Sequence, residues 1–286
     1  MTDRLGRADL HIHTPASDGV DPISTILDRI ERATDLDVVA ITDHDRIDAA
    51  LAARTMAREL GHRVEIVIGE EVSTLGGHLL ALFVEERVRP VRSLRTTIAE
   101  IHEQGGLAIP AHPLVPYPLC AQGWVLRRLL SDRDPRVRPD ALEAFNPTMF
   151  GRAWHGRVVR FATEHGLATV GNSDSHEAAT IGTGWSSFPG RTADDLRAAI
   201  LAGETHHHGA FLAAGSQVST FGRQLRKYSR DARAIVGGKV RRDGTGRDLG
   251  YPGGDHRPPR FEEAWLARRT ATTDAEPPDT EQNRRR

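Results

Sequence analysis

Two histidines one residue apart, His11 and His13, close the short apolar run Ala8-Asp9-Leu10-His11-Ile12-His13, and a second metal-type cluster, Asp174-Ser175-His176, follows about 160 residues later. In an extended chain residues i and i+2 point to the same face, so both imidazoles can converge on one ion. The single cysteine, Cys120, excludes an internal disulfide and a CxxC zinc knuckle. Any metal must therefore be held by imidazole and carboxylate.

Candidates for that role are Asp18, Asp43-His44, Glu70-Glu71, His78, His112 and Asp174-Ser175-His176, which recur at the ends of predicted strands, where an α/β enzyme gathers its chemistry. A lone histidine is usually a core or surface residue, but six of the fourteen share this one kind of location, which argues for ligation. Carboxylates and neutral imidazoles suit zinc, manganese or iron, and a carboxylate can bridge two ions. Glu70 or Glu71 is the natural bridge. If three divalent cations sat among Asp18, Glu71 and Asp174, six positive charges would face three negative ones. A hydroxide and a phosphate oxyanion would neutralise that excess and a neutral amide would not, which favours phosphoester hydrolysis.

The elements that must position these groups alternate along the chain. Pro22 to Thr34 has apolar residues at helical spacing, with Asp21 as cap and Pro22 at the first position. Asp37 to Thr42 is an apolar strand running into Asp43-His44, and Ile47 to Leu60 is a helix stopped by Gly61. Val64 to Ile68 is a strand ending at Gly69-Glu70-Glu71, and His78 to Val84 is another after Gly76-Gly77. A helix from about Val91 to Gln104 precedes the strand Leu107-Ala108-Ile109. Residues 114–139 form an elaborated loop with a helix at Trp124 to Leu130. The strand Asp140 to Phe145, the helix Arg152 to His165, the strand Leu167 to Val170 and a last unit joining Arg191–Ala202 to Thr205-His206-His207-His208 complete the series. Repeated strand-then-helix units predict a parallel sheet, and seven or eight of them predict a closed barrel.

Residues 1–215 are read as that catalytic barrel and 216–286 as a basic extension. The net charge of −1 divides unevenly: residues 221–286 hold 16 Lys+Arg against 10 Asp+Glu, leaving an acidic front. Phe221 to Ile235 reads as one basic helix, with disorder expected from about residue 240. Such a tail can hold nucleic acid, although its sparse aromatics and mixed acids suit a solvated extension. No apolar stretch is long enough for a bilayer and the N-terminus lacks the apolar core of a signal peptide, so the expected location is cytoplasmic. The sequence points to no membrane or protein partner and leaves the oligomeric state open.

The stretch His11-Ile12-His13-Thr14-Pro15-Ala16-Ser17-Asp18-Gly19 resembles the opening motif of the PHP (polymerase and histidinol phosphatase) superfamily. Ile41-Thr42-Asp43-His44-Asp45, Gly69-Glu70-Glu71-Val72-Ser73, Ala111-His112-Pro113 and Asn172-Ser173-Asp174-Ser175-His176 resemble its later motifs, in order. The resemblance implies a distorted, TIM-like seven-stranded (β/α) barrel with three divalent ions, zinc, manganese or iron, alone or mixed. Carried over motif by motif, His11, His13, Glu71 and Asp174 would hold the first ion. Glu71, His78 and His112 would hold the second, and Asp18, His44 and His176 the third. The family pattern, a glutamate directly before Val and Ser, selects Glu71 over Glu70.

What the resemblance implies for activity is a metal-dependent phosphoric ester hydrolase, with attack by a metal-bridging hydroxide on phosphorus. Its substrate would be a nucleotide, a short RNA end or another small phosphomonoester. Asp43 would orient His44 or a water, and Asn146, at a strand end, and Arg152 are candidates for contact with phosphate or substrate. Two other classes compete. An amidohydrolase-like metal hydrolase of a non-phosphate substrate typically uses a carbamylated lysine, yet the only lysines are Lys227 and Lys239, both in the tail. The third class is a non-catalytic, metal-stabilised module that binds nucleic acid.

Overall fold

A computed structural model describes residues 4–117 and 119–212. Nine strands and six helices follow one another as β1 (Gly6–Asp9), α1 (Ile23–Ala33), β2 (Val38–Ile41), α2 (Asp48–Glu59), β3 (Glu65–Thr74), β4 (Gly77–Leu82), α3 (Leu94–Glu103), β5 (Leu107–Pro110), α4 (Gly123–Leu130), β6 (Ala141–Phe145), α5 (Met149–His165), β7 (Ala168–Gly171), β8 (Gly184–Phe188), α6 (Ala193–Ala202) and β9 (His206–Gly209). The basic helix expected over 221–235 and the disorder expected from about 240 lie outside the described residues.

Local chemistry accounts for the framework. In α1 the buried residues Ile23, Ile26, Leu27 and Ile30 form one apolar stripe at three- and four-residue spacing. The expected Asp21 cap is not made: Pro22 stands at the N-cap, and Asp21 instead accepts the Ala178 amide at 2.8 Å, tying the helix entrance to the loop after His176. A reciprocal capping box of Thr192 and Asp195 starts α6. Helix α5 ends at Gly166, whose φ of 63° is the left-handed conformation that glycine adopts without a Cβ penalty. Strand β2, Val-Val-Ala-Ile, is buried at all four residues, as expected for a strand covered on both faces.

Seven strands form one sheet in the order β5-β4-β3-β2-β1-β8-β9, and β6 and β7 form a parallel pair. The uniformly parallel sheet expected from the alternation is not what the chain builds. Pairs β1–β2 and β2–β3 are parallel, whereas β3–β4, β4–β5, β1–β8 and β8–β9 are antiparallel. For β3–β4 the reason lies between Thr74 and Gly77, where a tight turn replaces a crossover helix and forces a hairpin. Strand β3 also runs on through Glu70 and Glu71 instead of ending before them.

The β6–β7 pair meets the large sheet at its β5 edge and, at the other end, on β8 and β9. The Asp140 amide donates to the Ala108 carbonyl beside β5, and the Ser186 hydroxyl of β8 bonds both the amide and the carbonyl of Gly171 in β7. The strands thus curl around a common core that includes Ala8, Leu10, Val38, Leu80, Ile109, Val170 and Phe188. No helix among the described residues is long and apolar enough to cross a membrane.

Candidate metal centre

Strands β1, β2, β5 and β7 deliver their C-terminal ends to one place, and adjacent backbone stitches them together. Ile12 bridges Ser175 in parallel register, with His13 N donating to Ser175 O at 2.8 Å and Ser175 N to His11 O at 3.1 Å. On the other side Thr42 N donates to Ile12 O, and Glu71 N donates to Asp43 O next to the His44–Glu71 bridge. The loop from Thr14 to Asp18 is held by Asp43, whose buried carboxylate accepts from the amides and hydroxyls of Thr14 and Ser17. Gly19 closes this loop so tightly that a Cβ there would overlap the His13 carbonyl.

All nine side chains expected as ligands converge. Oε2 of Glu71 lies 3.3 Å from His11 Nε2, 3.3 Å from His13 Nε2 and 3.1 Å from His44 Nδ1, while Oε1 lies 2.7 Å from His78 Nδ1 and 3.2 Å from His112 Nε2. Asp174 Oδ1 is 3.4 Å from both His11 Nε2 and His13 Nε2. Donors about 2.0–2.1 Å from a tetrahedral ion are separated by roughly 3.3–3.4 Å. The spacings of His11 and His13 to Asp174 on one side and to Glu71 on the other match edges of such a polyhedron, and His11, His13 and Asp174 form one compact group. Asp18 gathers a further set, with Oδ2 3.0 Å from His176 Nε2 and 3.6 Å from His44 Nε2, and Oδ1 3.4 Å from His13 Nδ1.

His44 differs from its expected place in a single set. Its Nδ1 faces Glu71 and its Nε2 faces Asp18, so it belongs by distance both with His13, Asp18 and His176 and with Glu71 and His78.

Four buried ring nitrogens, His11 Nε2, His13 Nε2, His44 Nδ1 and His78 Nδ1, make no hydrogen bond, although each has a carboxylate oxygen within 3.3 Å. Leaving buried polar atoms unsatisfied is costly, and ions in the space they face would satisfy them. The donor set fits a borderline divalent metal. The site's electrostatics point the same way. Burial opposes ionisation of Glu71, yet His44, His11 and His78 outweigh it and hold the carboxyl well below its ordinary range. Burial likewise opposes charge on His44, but Glu71 and Asp18 raise it to about 9. His13 is lowered by burial and by His176. Metal ions and protons thus compete for the same nitrogens.

Two residues in the site adopt the left-handed backbone that non-glycine residues avoid: His112 has φ 31° and Asp174 φ 50°. Arg152 is exposed in the first turn of α5, with its guanidinium 5.3 Å above the Phe211 ring. His206, His207 and His208, read from sequence as a final strand, form β9. There His207 meets the Thr169 hydroxyl and His208 stacks on Trp185.

Sequence reasoning missed Glu143, a fully buried acid in the middle of the apolar strand β6, which bonds His11 Nδ1 at 2.9 Å. The signal was available: a lone carboxylate inside Ala-Leu-Glu-Ala-Phe has to find donors.

Comparison with known proteins agrees with this geometry. The PHP domain family matches residues 9–107, and the PHP-associated family matches residues 152–205. An uncharacterized protein of Methanocaldococcus jannaschii is 36% identical over 151 residues, covering 49% of this chain and 81% of the relative. Three solved structures share the fold at low identity. A Bacteroides vulgatus two-domain protein, described as containing a predicted PHP-like metal-dependent phosphoesterase, has a TM-score of 0.59 at 16% identity, over 77% of this chain and 70% of its own. PsfC of Pseudomonas syringae has a TM-score of 0.54 at 19% identity, over 79% and 98%. A candidate metal-dependent phosphoesterase of Bifidobacterium adolescentis has a TM-score of 0.52 at 18% identity, over 68% and 96%.

Proposed function

This chain belongs to the PHP family, and on that premise we propose that it is a metal-dependent phosphoesterase that hydrolyses a small phosphomonoester, a nucleotide or a short RNA end. The observation that carries this reading is Glu71. Its two oxygens face five imidazoles and divide them between two sets, the arrangement of a bridging carboxylate.

His11, His13, Glu71 and Asp174 would hold one divalent cation, zinc, manganese or iron. Glu71, His78 and His112 would hold a second, and Asp18, His44 and His176 a third, with His44 within reach of both neighbouring sets. Bound ions of this kind lower the pKa of water toward neutrality and withdraw charge from phosphoryl oxygens.

The chain's own contribution is to hold the donors and set the charge. Three carboxylates facing up to six positive charges leave an excess that an anionic substrate oxygen neutralises and a neutral amide does not. Asp43 keeps the Thr14–Asp18 loop, and with it Asp18, in place through its four hydrogen bonds. The His176 Nδ1–H donates to the Asp174 carbonyl at 2.9 Å, which turns Nε2 toward Asp18 Oδ2, 3.0 Å away, where an ion would take its lone pair. No side-chain nucleophile is required.

The test is phosphate release by metal-reconstituted protein from mononucleotides, 3′,5′-bisphosphates, short RNA, histidinol phosphate and a phosphotyrosine peptide, with His13→Ala as control. Release that is lost in the control supports the reading and ranks the substrates. The absence of release with zinc, manganese or iron from every member of the panel would sink it.

A further inference from the structure

The nine convergent side chains are held from behind by one carboxylate. Glu143 lies in the middle of β6 with 1% of its surface exposed. Its Oε1 accepts from His11 Nδ1 at 2.9 Å and Asn172 Nδ2 at 2.8 Å. Its Oε2 accepts from the His112 backbone amide at 2.7 Å and Asn146 Nδ2 at 3.3 Å. Four donors use all the lone-pair directions a carboxylate has. Asn146 also donates from Nδ2 to Asp174 Oδ2 at 3.1 Å, and its Oδ1 accepts the Thr148 amide at 3.1 Å. His11, His112 and Asp174, from three separate segments of the chain, therefore all lead back to Glu143.

We propose that Glu143, acting partly through Asn146, is the positioning residue of the metal centre, an inference that rests on the metal reading above. Its carboxylate keeps the His11 proton on Nδ1, so that the Nε2 lone pair faces Glu71 Oε2 and Asp174 Oδ1. The same group fixes the backbone of His112 and, through Asn146, turns the Asp174 carboxylate toward His11 and His13.

A glutamine in its place has the same shape but cannot do this. Whichever way its amide turns, an NH2 faces either His11 and Asn172 or His112 and Asn146, and all four of those groups are donors. If Nδ1 loses its acceptor, the His11 proton is free to move to Nε2, which then cannot ligate. A purely structural Glu143 would instead tie β6 to its neighbours and affect folding alone.

The experiment compares full-length wild type, Glu143→Gln and Asn146→Ala by zinc titration against a chromogenic chelator, with melting temperatures in EDTA and in zinc. The proposal expects Glu143→Gln to bind zinc about 10–100-fold more weakly, with a smaller zinc-induced rise in Tm. Asn146→Ala, which leaves the His11 contact in place, is expected to lose a smaller factor. Variants that melt lower in EDTA yet bind zinc as wild type does would overturn it. If Glu143→Gln does not fold, Asn146→Ala decides, and unchanged zinc affinity in that variant counts against the proposal. Wild type that binds no zinc, manganese or iron overturns the metal reading together with this inference, whereas tight wild-type binding with unchanged variants overturns this inference alone.

Discussion

Replacing Asp18 by asparagine separates the ion sites from one another. Asp18 is the carboxylate of the set His13, Asp18, His44 and His176, with oxygens 3.0–3.6 Å from those three rings. It lies outside the His11–His13–Asp174 and His44–Glu71–His78 groups. Asparagine keeps the shape but removes the charge, so on the proposed three-ion reading one ion is lost and two stay. A ligand at about 100 times its Kd stabilises by roughly 2.7 kcal/mol. In a body of about 150–250 residues each kcal/mol shifts Tm by roughly 2–4 °C, so one site accounts for about 5–11 °C. The assay is metal content by mass spectrometry, paired with the difference in Tm between metal-loaded and EDTA-treated samples of the same variant. That difference cancels any effect of the substitution on the metal-free fold. Full metal content in Asp18→Asn would remove Asp18 from the ligand set, and complete loss would show that the ions do not occupy separable sites.

Other consequences follow from the same geometry. His13→Ala and Asp174→Ala each remove a donor from the four-atom set, so phosphate release should fall to the blank while circular dichroism keeps the wild-type shape; retained turnover in either variant contradicts the site. Gly19→Ala would push a Cβ into the His13 carbonyl and should cost about 1–3 kcal/mol in denaturant unfolding, and a neutral effect would mean that the loop is not closed as described. His102 Nδ1 meets the Arg136 carbonyl at 2.7 Å and Nε2 meets Asp140 Oδ2 at 2.9 Å, two acceptors that call for a doubly protonated ring. The bond to Asp140 accordingly raises the His102 pKa above 6.5. Its stabilisation should be complete below about pH 6.5 and fade as pH rises through the raised value, so the Tm gap between wild type and His102→Gln should narrow from pH 5.5 to 9. A gap that widens with pH would refute the protonated assignment.

Much of the site was legible because its signals are local. The i, i+2 spacing of His11 and His13, and the acids and histidines that follow short apolar runs, each depend on only a few consecutive residues. Most helices were legible for the same reason, as the buried stripe of α1 illustrates. What escaped depends on partners distant in sequence. Strand β8, Gly-Trp-Ser-Ser-Phe, has little β-branched character, and its identity comes from pairing antiparallel to β1 about 180 residues earlier, with Phe188 buried in the core. The reversal of β4 had a local sign, the Gly76-Gly77 turn with no helix before the next strand, but the overall strand-and-helix alternation outweighed it in the reading of a parallel sheet. His44 could be recognised as a candidate ligand, but the two directions of its ring nitrogens could not, since they are set by Asp18 on one side and Glu71 on the other.

The strained backbone at His112 and Asp174 belongs to the same argument as Glu143. Left-handed conformation in a residue with a Cβ costs of order 1–3 kcal/mol and persists only where the surroundings over-determine it. Both of these residues stand just past a strand end, and each is tethered to one member of a bonded pair of side chains. Glu143 Oε2 accepts the His112 amide at 2.7 Å, and Asn146 donates to Asp174 Oδ2 at 3.1 Å. A carboxylate that accepts a backbone amide makes a charge-assisted bond, about twice as strong as a neutral one, which is enough to offset the strain at His112. Asn146 and Glu143 are themselves joined at 3.3 Å, so the two strained ligands share one support. That coupling explains why a single acid sits in the middle of an otherwise apolar strand. Truncating it would release the His112 backbone turn and, through Asn146, the Asp174 carboxylate, and with them the directions in which His112 and Asp174 present their donors.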